Sequence, residues 1–250
     1  MSEYAMIWGR RPVLEALRGS LRLQKILLIR ETRGQIVARI LELARKRDIP
    51  VEMVEKKVLA SIVPRENHQG VLAYLVPYEY FQVEEILQKA QHSNKLPFLL
   101  FLDHIQDPHN LGSLLRTASG AGVDGVVIPR NRATGITPAV FKGSAGALAH
   151  IPVARVVNLV REIEHLKKEG LWIIGADMDG EHPFYEVDYN FPLALVLGSE
   201  GRGLSKLLRK KCDFLVRIPL TGTLSSLNVS VAGAIIIYEI FRQRLIASKS

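Results

Sequence analysis

Apolar and polar positions change period along this chain in a way that divides it. Over residues 10–18 the apolar side chains recur at helical spacing, and Lys25-Ile26-Leu27-Leu28-Ile29 then reads as a strand. A helix over 34–47, a strand over 50–54, a helix over 56–63 and a strand over 70–76 follow, predicting a compact α/β unit. Pro77-Tyr78-Glu79-Tyr80 interrupts the pattern. A polar amphipathic helix over 82–93 then leads to Pro97-Phe98-Leu99-Leu100-Phe101-Leu102, an unbroken apolar run like a parallel strand buried on both faces. Strand-like runs recur at 125–129, 152–156, 171–175, 193–197 and 214–218 with helical stretches between most of them. This predicts a parallel sheet covered on both faces. The organisation expected is a small α/β domain over 1–76, a linker over 77–96 and a larger α/β domain over 97–250.

Charge sharpens that division. Residues 1–76 hold 14 Lys and Arg against 8 Asp and Glu, whereas 97–250 hold 17 against 14, so most of the net +8 sits in the smaller unit. Clusters such as Arg10-Arg11 and Arg45-Lys46-Arg47 suit a polyanion, because phosphate contacts by Lys and Arg release counterions. No apolar run approaches the roughly 18 residues needed to cross a bilayer, so no membrane partner is expected. The first residues lack the basic-then-apolar order of a secretory leader. With a single cysteine, Cys212, this predicts a cytoplasmic protein. Cys212 follows Lys210-Lys211 and precedes an apolar strand, and reads as packing rather than chemistry.

Glycines mark the loops. Gly120-Ala-Gly122-Val-Asp-Gly125 fits the dinucleotide fingerprint in spelling but follows a helix and precedes a strand, the reverse of what that fold needs. It reads as a helix end and turn. Gly198-Ser-Glu-Gly201-Arg-Gly203 does follow a strand and precedes a helix from about residue 204, which requires the backbone to approach a ligand or another segment closely. A third loop opens on Asp103 and runs into a helix that Asn110 is expected to cap, with Arg116 two turns in. His104 and His109 have no further ligand at metal spacing, and no metal is expected. The fourth stretch, Ile218 to Tyr238, leads through a polar turn into a long helix whose first turn is expected to carry Ser226, Asn228 and Ser230. Small polar side chains beside free backbone N–H groups suit a polar or anionic ligand.

Together Asn110-Leu-Gly-Ser-Leu-Leu-Arg116-Thr-Ala, Leu197-Gly198-Ser-Glu200-Gly-Arg-Gly203-Leu-Ser and Ile218-Pro-Leu through Ser226-Leu-Asn228-Val-Ser-Val-Ala resemble, in order and separation, the three motifs of the SpoU branch of the SPOUT methyltransferases. Residues 1–76 resemble the small RNA-binding domain that precedes the catalytic domain in bacterial 23S rRNA guanosine 2′-O-methyltransferases. The resemblance implies a parallel sheet with a C-terminal trefoil knot, a homodimer, and S-adenosylmethionine as cofactor. It places Leu197, Gly198, Gly203, Ile218, Leu220 and Leu227 against the cofactor and Asn110, Arg116, Glu200, Ser226 and Asn228 toward the target nucleotide. The reaction implied is methylation of a ribose 2′-oxygen in large-subunit rRNA, with no DNA partner. A tRNA target and a non-catalytic RNA-binding protein of the same fold are the alternatives. A cytosine-C5 reaction would need a nucleophilic cysteine, for which Cys212 has no supporting context.

Overall fold

The computed structural model describes residues 6–18, 22–64, 67–93, 95–199, 201, 203–222 and 226–248. These fall into two compact units, divided between Glu79 and Tyr80.

In the first unit β1 (Met6–Trp8), α1 (Arg10–Arg18), β2 (Leu23–Ile29), α2 (Gln35–Lys46), β3 (Val51–Val54), α3 (Lys56–Ile62) and β4 (Val71–Leu75) follow in order. The sheet runs β1-β4-β2-β3, with β4 antiparallel to β1 and β2, and β2 parallel to β3. Alternation along β2 serves two cores, since successive strand side chains face opposite ways. Ile26 and Leu28 pack with Val13 and Leu17 of α1 and Val37 and Ile40 of α2. Leu27 and Ile29 pack with Leu59 of α3 on the other face. β1 is too short for its own pattern to show in the sequence.

The second unit opens with α4 (Val83–Gln91), then β5 (Phe98–Leu102), α5 (Pro108–Gly120), β6 (Gly125–Pro129), α6 (Pro138–Gly143), β7 (Val153–Val156) and α7 (Leu159–Lys168). It continues through β8 (Trp172–Ala176), β9 (His182–Pro183), β10 (Leu193–Leu197), α8 (Lys206–Lys211), β11 (Phe214–Arg217) and α9 (Val229–Ala247). The sheet order is β7-β6-β5-β10-β8-β11-β9, and every pairing is parallel. β10 therefore enters between β5 and β8, which precede it in the chain. The unbroken apolar strands have the predicted cause. Leu99, Phe101, Ala194 and Val196 pack against α4, α7 and α8 on one face. On the other, a Cβ on Gly233 of α9 would stand 2.6–2.7 Å from Leu114 of α5 and Leu197 of β10, so these elements touch closely.

The segment expected as a linker, 77–96, is largely not one. Val83, Ile86 and Leu87 of α4 are buried in the core of the second unit, and a bridge pairs Phe81 with Ala154. The polar outer face of α4 disguises a helix whose apolar face is covered. Far along the chain, Arg244 of α9 donates to the carbonyls of Leu96 and Phe191, each at 2.7 Å. Burial lowers its guanidinium to about 10, and these carbonyls replace the lost water. The C-terminal helix is thereby fastened to the entry points of β5 and β10.

Candidate active site

The ends of β8, β10 and β11 and the start of α9 enclose a cavity of about 320 Å³, a size typical of small-ligand sites. Leu197, Gly198, Gly203, Ile218, Leu220 and Leu227 all line it. Loops after parallel strands come together here because every strand of the sheet points the same way.

The local fold is decided most sharply at Gly198. The loop beyond it doubles back: Ser199 N–H donates to the Gly203 carbonyl at 3.2 Å and Gly203 N–H to the Ser199 carbonyl at 2.9 Å. A Cβ on Gly198 would lie 2.1 Å from the Gly203 carbonyl carbon. Glycine is required there by the chain's own backbone, before any ligand is considered. Gly201 and Gly203 complete the reversal with φ of 74° and 62°.

The residues expected to face a substrate come together in part. Asn228 Nδ2 donates to Asn110 Oδ1 at 3.0 Å, joining the start of α5 to the start of α9. Ser226 lines the same cavity as the six residues above. Arg116 is exposed on α5 and has no hydrogen-bond or ion-pair partner among the described residues. Glu200 lies outside the described residues.

Three local expectations need correction. Asp107 rather than Asn110 caps α5, accepting the His109 N–H at 3.0 Å with Pro108 in the first helical position. Pro fits there because it has no N–H to leave unpaired. Asn110, one turn further, is buried and free to reach α9. The last helix begins only at Val229: Asn228 is its cap, accepting from the Ser230 N–H at 2.9 Å, and Ser226 stands in the preceding loop. The helix after the glycine loop starts at Lys206, following Ser205.

Sequence reading passed over Asp177, the first residue beyond β8. Its side chain is only 7% exposed and lines the cavity. Oδ1 accepts the Asp179 N–H at 3.0 Å and stands 3.4 Å from Arg209 Nη1. Oδ2 lies 3.9 Å from the Cβ position of Gly203 on the cavity wall. A signal was present: a carboxylate directly after a buried parallel strand occupies the edge where such sheets bind ligands. Cys212 behaves as read. Its thiol donates to the Leu208 carbonyl at 3.3 Å, and burial pushes it up to about 12, so it is no thiolate near neutral pH.

The SpoU rRNA methylase family model matches residues 97–238, and the model for the RNA 2′-O ribose methyltransferase substrate-binding domain matches residues 6–81. A Bacillus subtilis protein named as a TrmH family tRNA/rRNA methyltransferase, YacO, is 42% identical over 242 residues, 97% of each chain. The AdoMet-bound rRNA methyltransferase of Sinorhizobium meliloti superposes with a TM-score of 0.75 and 26% identity over 96% of this chain and 88% of that one. The TrmH/SpoU tRNA-modifying enzyme of A. aeolicus superposes with a TM-score of 0.57 and 27% identity, over 66% of this chain and 86% of its own.

Proposed function

The chain belongs to the SpoU rRNA methylase family, and from that premise we propose that it methylates a ribose 2′-oxygen, that of a guanosine, in 23S rRNA. It is an RNA methyltransferase of the TrmH type, with S-adenosylmethionine as the expected cofactor. The observation that carries the assignment of the site is convergence. Six residues from separate stretches of the chain line one cavity, and the Asn110–Asn228 hydrogen bond joins the remaining motif to the helix beside it.

The residues present fit that cofactor. Leu197, Leu204, Ile218, Leu227 and Ile236 offer apolar walls for a flat base, interleaved with loop backbone that can hydrogen-bond its edge. Asp177 offers an acceptor for ribose hydroxyls. When bound, S-adenosylmethionine supplies an activated sulfonium methyl. The protein's share is then chiefly alignment of the attacking oxygen. Asn110 and Asn228 hold one another and fix the floor on which a nucleotide is placed. A guanidinium has donors and no acceptor, so Arg116 serves as a positive charge for the developing alkoxide or an adjacent phosphate rather than as a base.

An rRNA target is favoured over tRNA because the superposition on the rRNA enzyme extends over nearly the whole chain, N-terminal unit included, and that on the tRNA enzyme does not. The homodimer belongs to the same reading. Val231, Tyr238, Leu245 and Ile246 of α9 are left exposed, an apolar face suited to a second copy. The trefoil knot and a cytoplasmic setting complete it. β10 entering between β5 and β8 agrees with the first, and no described helix is long and apolar enough to cross a membrane.

The test is transfer from methyl-labelled S-adenosylmethionine to separated rRNA and tRNA pools, with the labelled nucleoside identified after digestion. Labelled 2′-O-methylguanosine in 23S rRNA is expected. Label in tRNA alone would reassign the substrate. Cofactor binding with no label in any RNA would overturn the proposal.

A further inference from the structure

A second cavity, of about 450 Å³, adjoins the first and shares Ser199, Gly203 and Leu204 with it. Its other walls come from Asp103, His104 and Gln106 in the loop after β5 and Arg132 in the loop after β6, which the cofactor cavity does not use, and from Ser205 before α8. The glycine loop is thus a partition shared by the two cavities.

Two features show that this second cavity is built rather than left over. Asp103, 2% exposed, accepts the Ser205 N–H at 2.9 Å and hydrogen-bonds His104 Nδ1. A carboxylate only accepts, so the ring proton in that bond sits on Nδ1. The ring is thereby oriented, and Nε2, which has no partner among the described residues, is left for whatever enters. Both His104 and Arg132 also hold the left-handed backbone conformation, with φ of 60° and 58°. For residues that are not glycine this conformation is disfavoured by contact of Cβ with the backbone, and such strain gathers at functional sites. The two loops are tied together by the Thr134 N–H, which donates to the Ile105 carbonyl at 2.9 Å. Arg132 has no hydrogen-bond or ion-pair partner among the described residues.

We propose that this cavity is a subsite for the sugar–phosphate of an RNA nucleotide neighbouring the methylated one, with Arg132 on the phosphate and His104 Nε2 on the ribose 2′-hydroxyl. The inference rests on the methyltransferase reading, since the shared partition is what sets the neighbouring nucleotide beside the cofactor. An unpaired guanidinium suits a phosphate. A 2′-hydroxyl both donates and accepts, so it can pair with Nε2 in either protonation state of the ring, and it distinguishes RNA from DNA. Gln106, Ser199 and Ser205 add polar groups to the walls without adding sequence readout.

Direct binding tests this apart from catalysis. The full-length protein with S-adenosylhomocysteine is titrated with a mixed-sequence single-stranded RNA and with DNA of the same sequence, over a range of salt. His104→Asn, chosen because Asn tolerates left-handed backbone, should narrow the preference for RNA over DNA about fivefold, the loss of one hydrogen bond. Arg132→Ala should weaken RNA and DNA alike and lower the salt slope by about 1, the release of one counterion, with Arg132→Lys restoring it. Cofactor affinity should stay at the wild-type value in all three variants, which verifies the fold. An unchanged RNA-to-DNA ratio in His104→Asn, or an unchanged slope in Arg132→Ala, would overturn the subsite. Wild-type protein that binds RNA through these two residues yet transfers no methyl would instead overturn the methyltransferase reading and leave the subsite standing.

Discussion

Each unit of this protein carries a concavity, and the two are made of opposite materials. That of the N-terminal unit is broad, about 1140 Å³, and lined by long side chains including Arg10, Arg33, Lys56, Lys57 and His68. Arg10 is steadied by its Nε–H donating to the Gln69 carbonyl at 3.1 Å, but the charges are carried on flexible stems. The cavity proposed for the cofactor is narrow and owes its form to backbone: a loop that turns back on itself beyond Gly198, strand ends, and the start of α9. Charge on flexible side chains recognises a polyanion at many points, each contributing little. Backbone geometry recognises one molecule and has no slack. The contrast predicts abrupt loss at the second site and graded loss at the first.

The largest effect is expected where backbone meets backbone. Gly198→Ala places a methyl against the Gly203 carbonyl carbon, which exceeds the usual overpacking cost of about 1–3 kcal/mol. Calorimetric titration with S-adenosylmethionine should detect no binding, and the thermal midpoint should fall. Normal binding by this variant would break the comparison outright. Arg116→Ala should come next. Steady-state kinetics should show kcat down by about 10²–10³, the loss typical of a transition-state charge contact, while the cofactor Kd stays unchanged. Arg116→Lys should recover little of the rate, because a point charge does not replace a planar fork. If cofactor affinity collapses as well, Arg116 belongs to the binding wall instead.

Asp177→Asn tests whether one buried carboxylate can behave like the backbone around it. Removing a charged acceptor should raise the cofactor Kd by about tenfold to a hundredfold, as hydrogen bonds to charged groups are worth about 1.5–3 kcal/mol, with the RNA Kd unaffected. The smallest effects belong to the basic cleft. Arg10→Ala and Lys56→Ala should each weaken rRNA binding about twofold to fivefold and reduce the salt slope by about 1 apiece, leaving kcat at saturating RNA unaltered. A single cleft substitution that abolished binding would show that this surface, too, is a fitted site.

The same contrast explains what could be read in the chain. Strands buried on both faces, such as Phe98–Leu102 and Leu193–Leu197, announce themselves as unbroken apolar runs. The helices between them show their period, so the two α/β units were legible within a residue or two at most ends. The helix α4 was legible as a helix but not as part of a domain, because its polar outer face says nothing about what covers the inner one. Motif residues in the three loops stand out in the sequence because glycine, asparagine and serine at those spacings are conspicuous. Asp177 was passed over although its place after a buried strand was a signal, and His104 was weighed only as a metal ligand, since its pairing with Asp103 shows only in the folded chain.

By itself the sequence determined the period of the longer elements, the uneven charge and the loops where glycine is needed, because these follow from local sterics and from which faces must avoid water. Tertiary structure alone decided the strand order β5-β10-β8 and the meeting of Asn110 with Asn228 across 118 positions. It also decided that the doubled-back loop beyond Gly198 helps to line two cavities. Contacts between distant segments depend on how whole faces are matched and buried together, and no short stretch of residues carries that information.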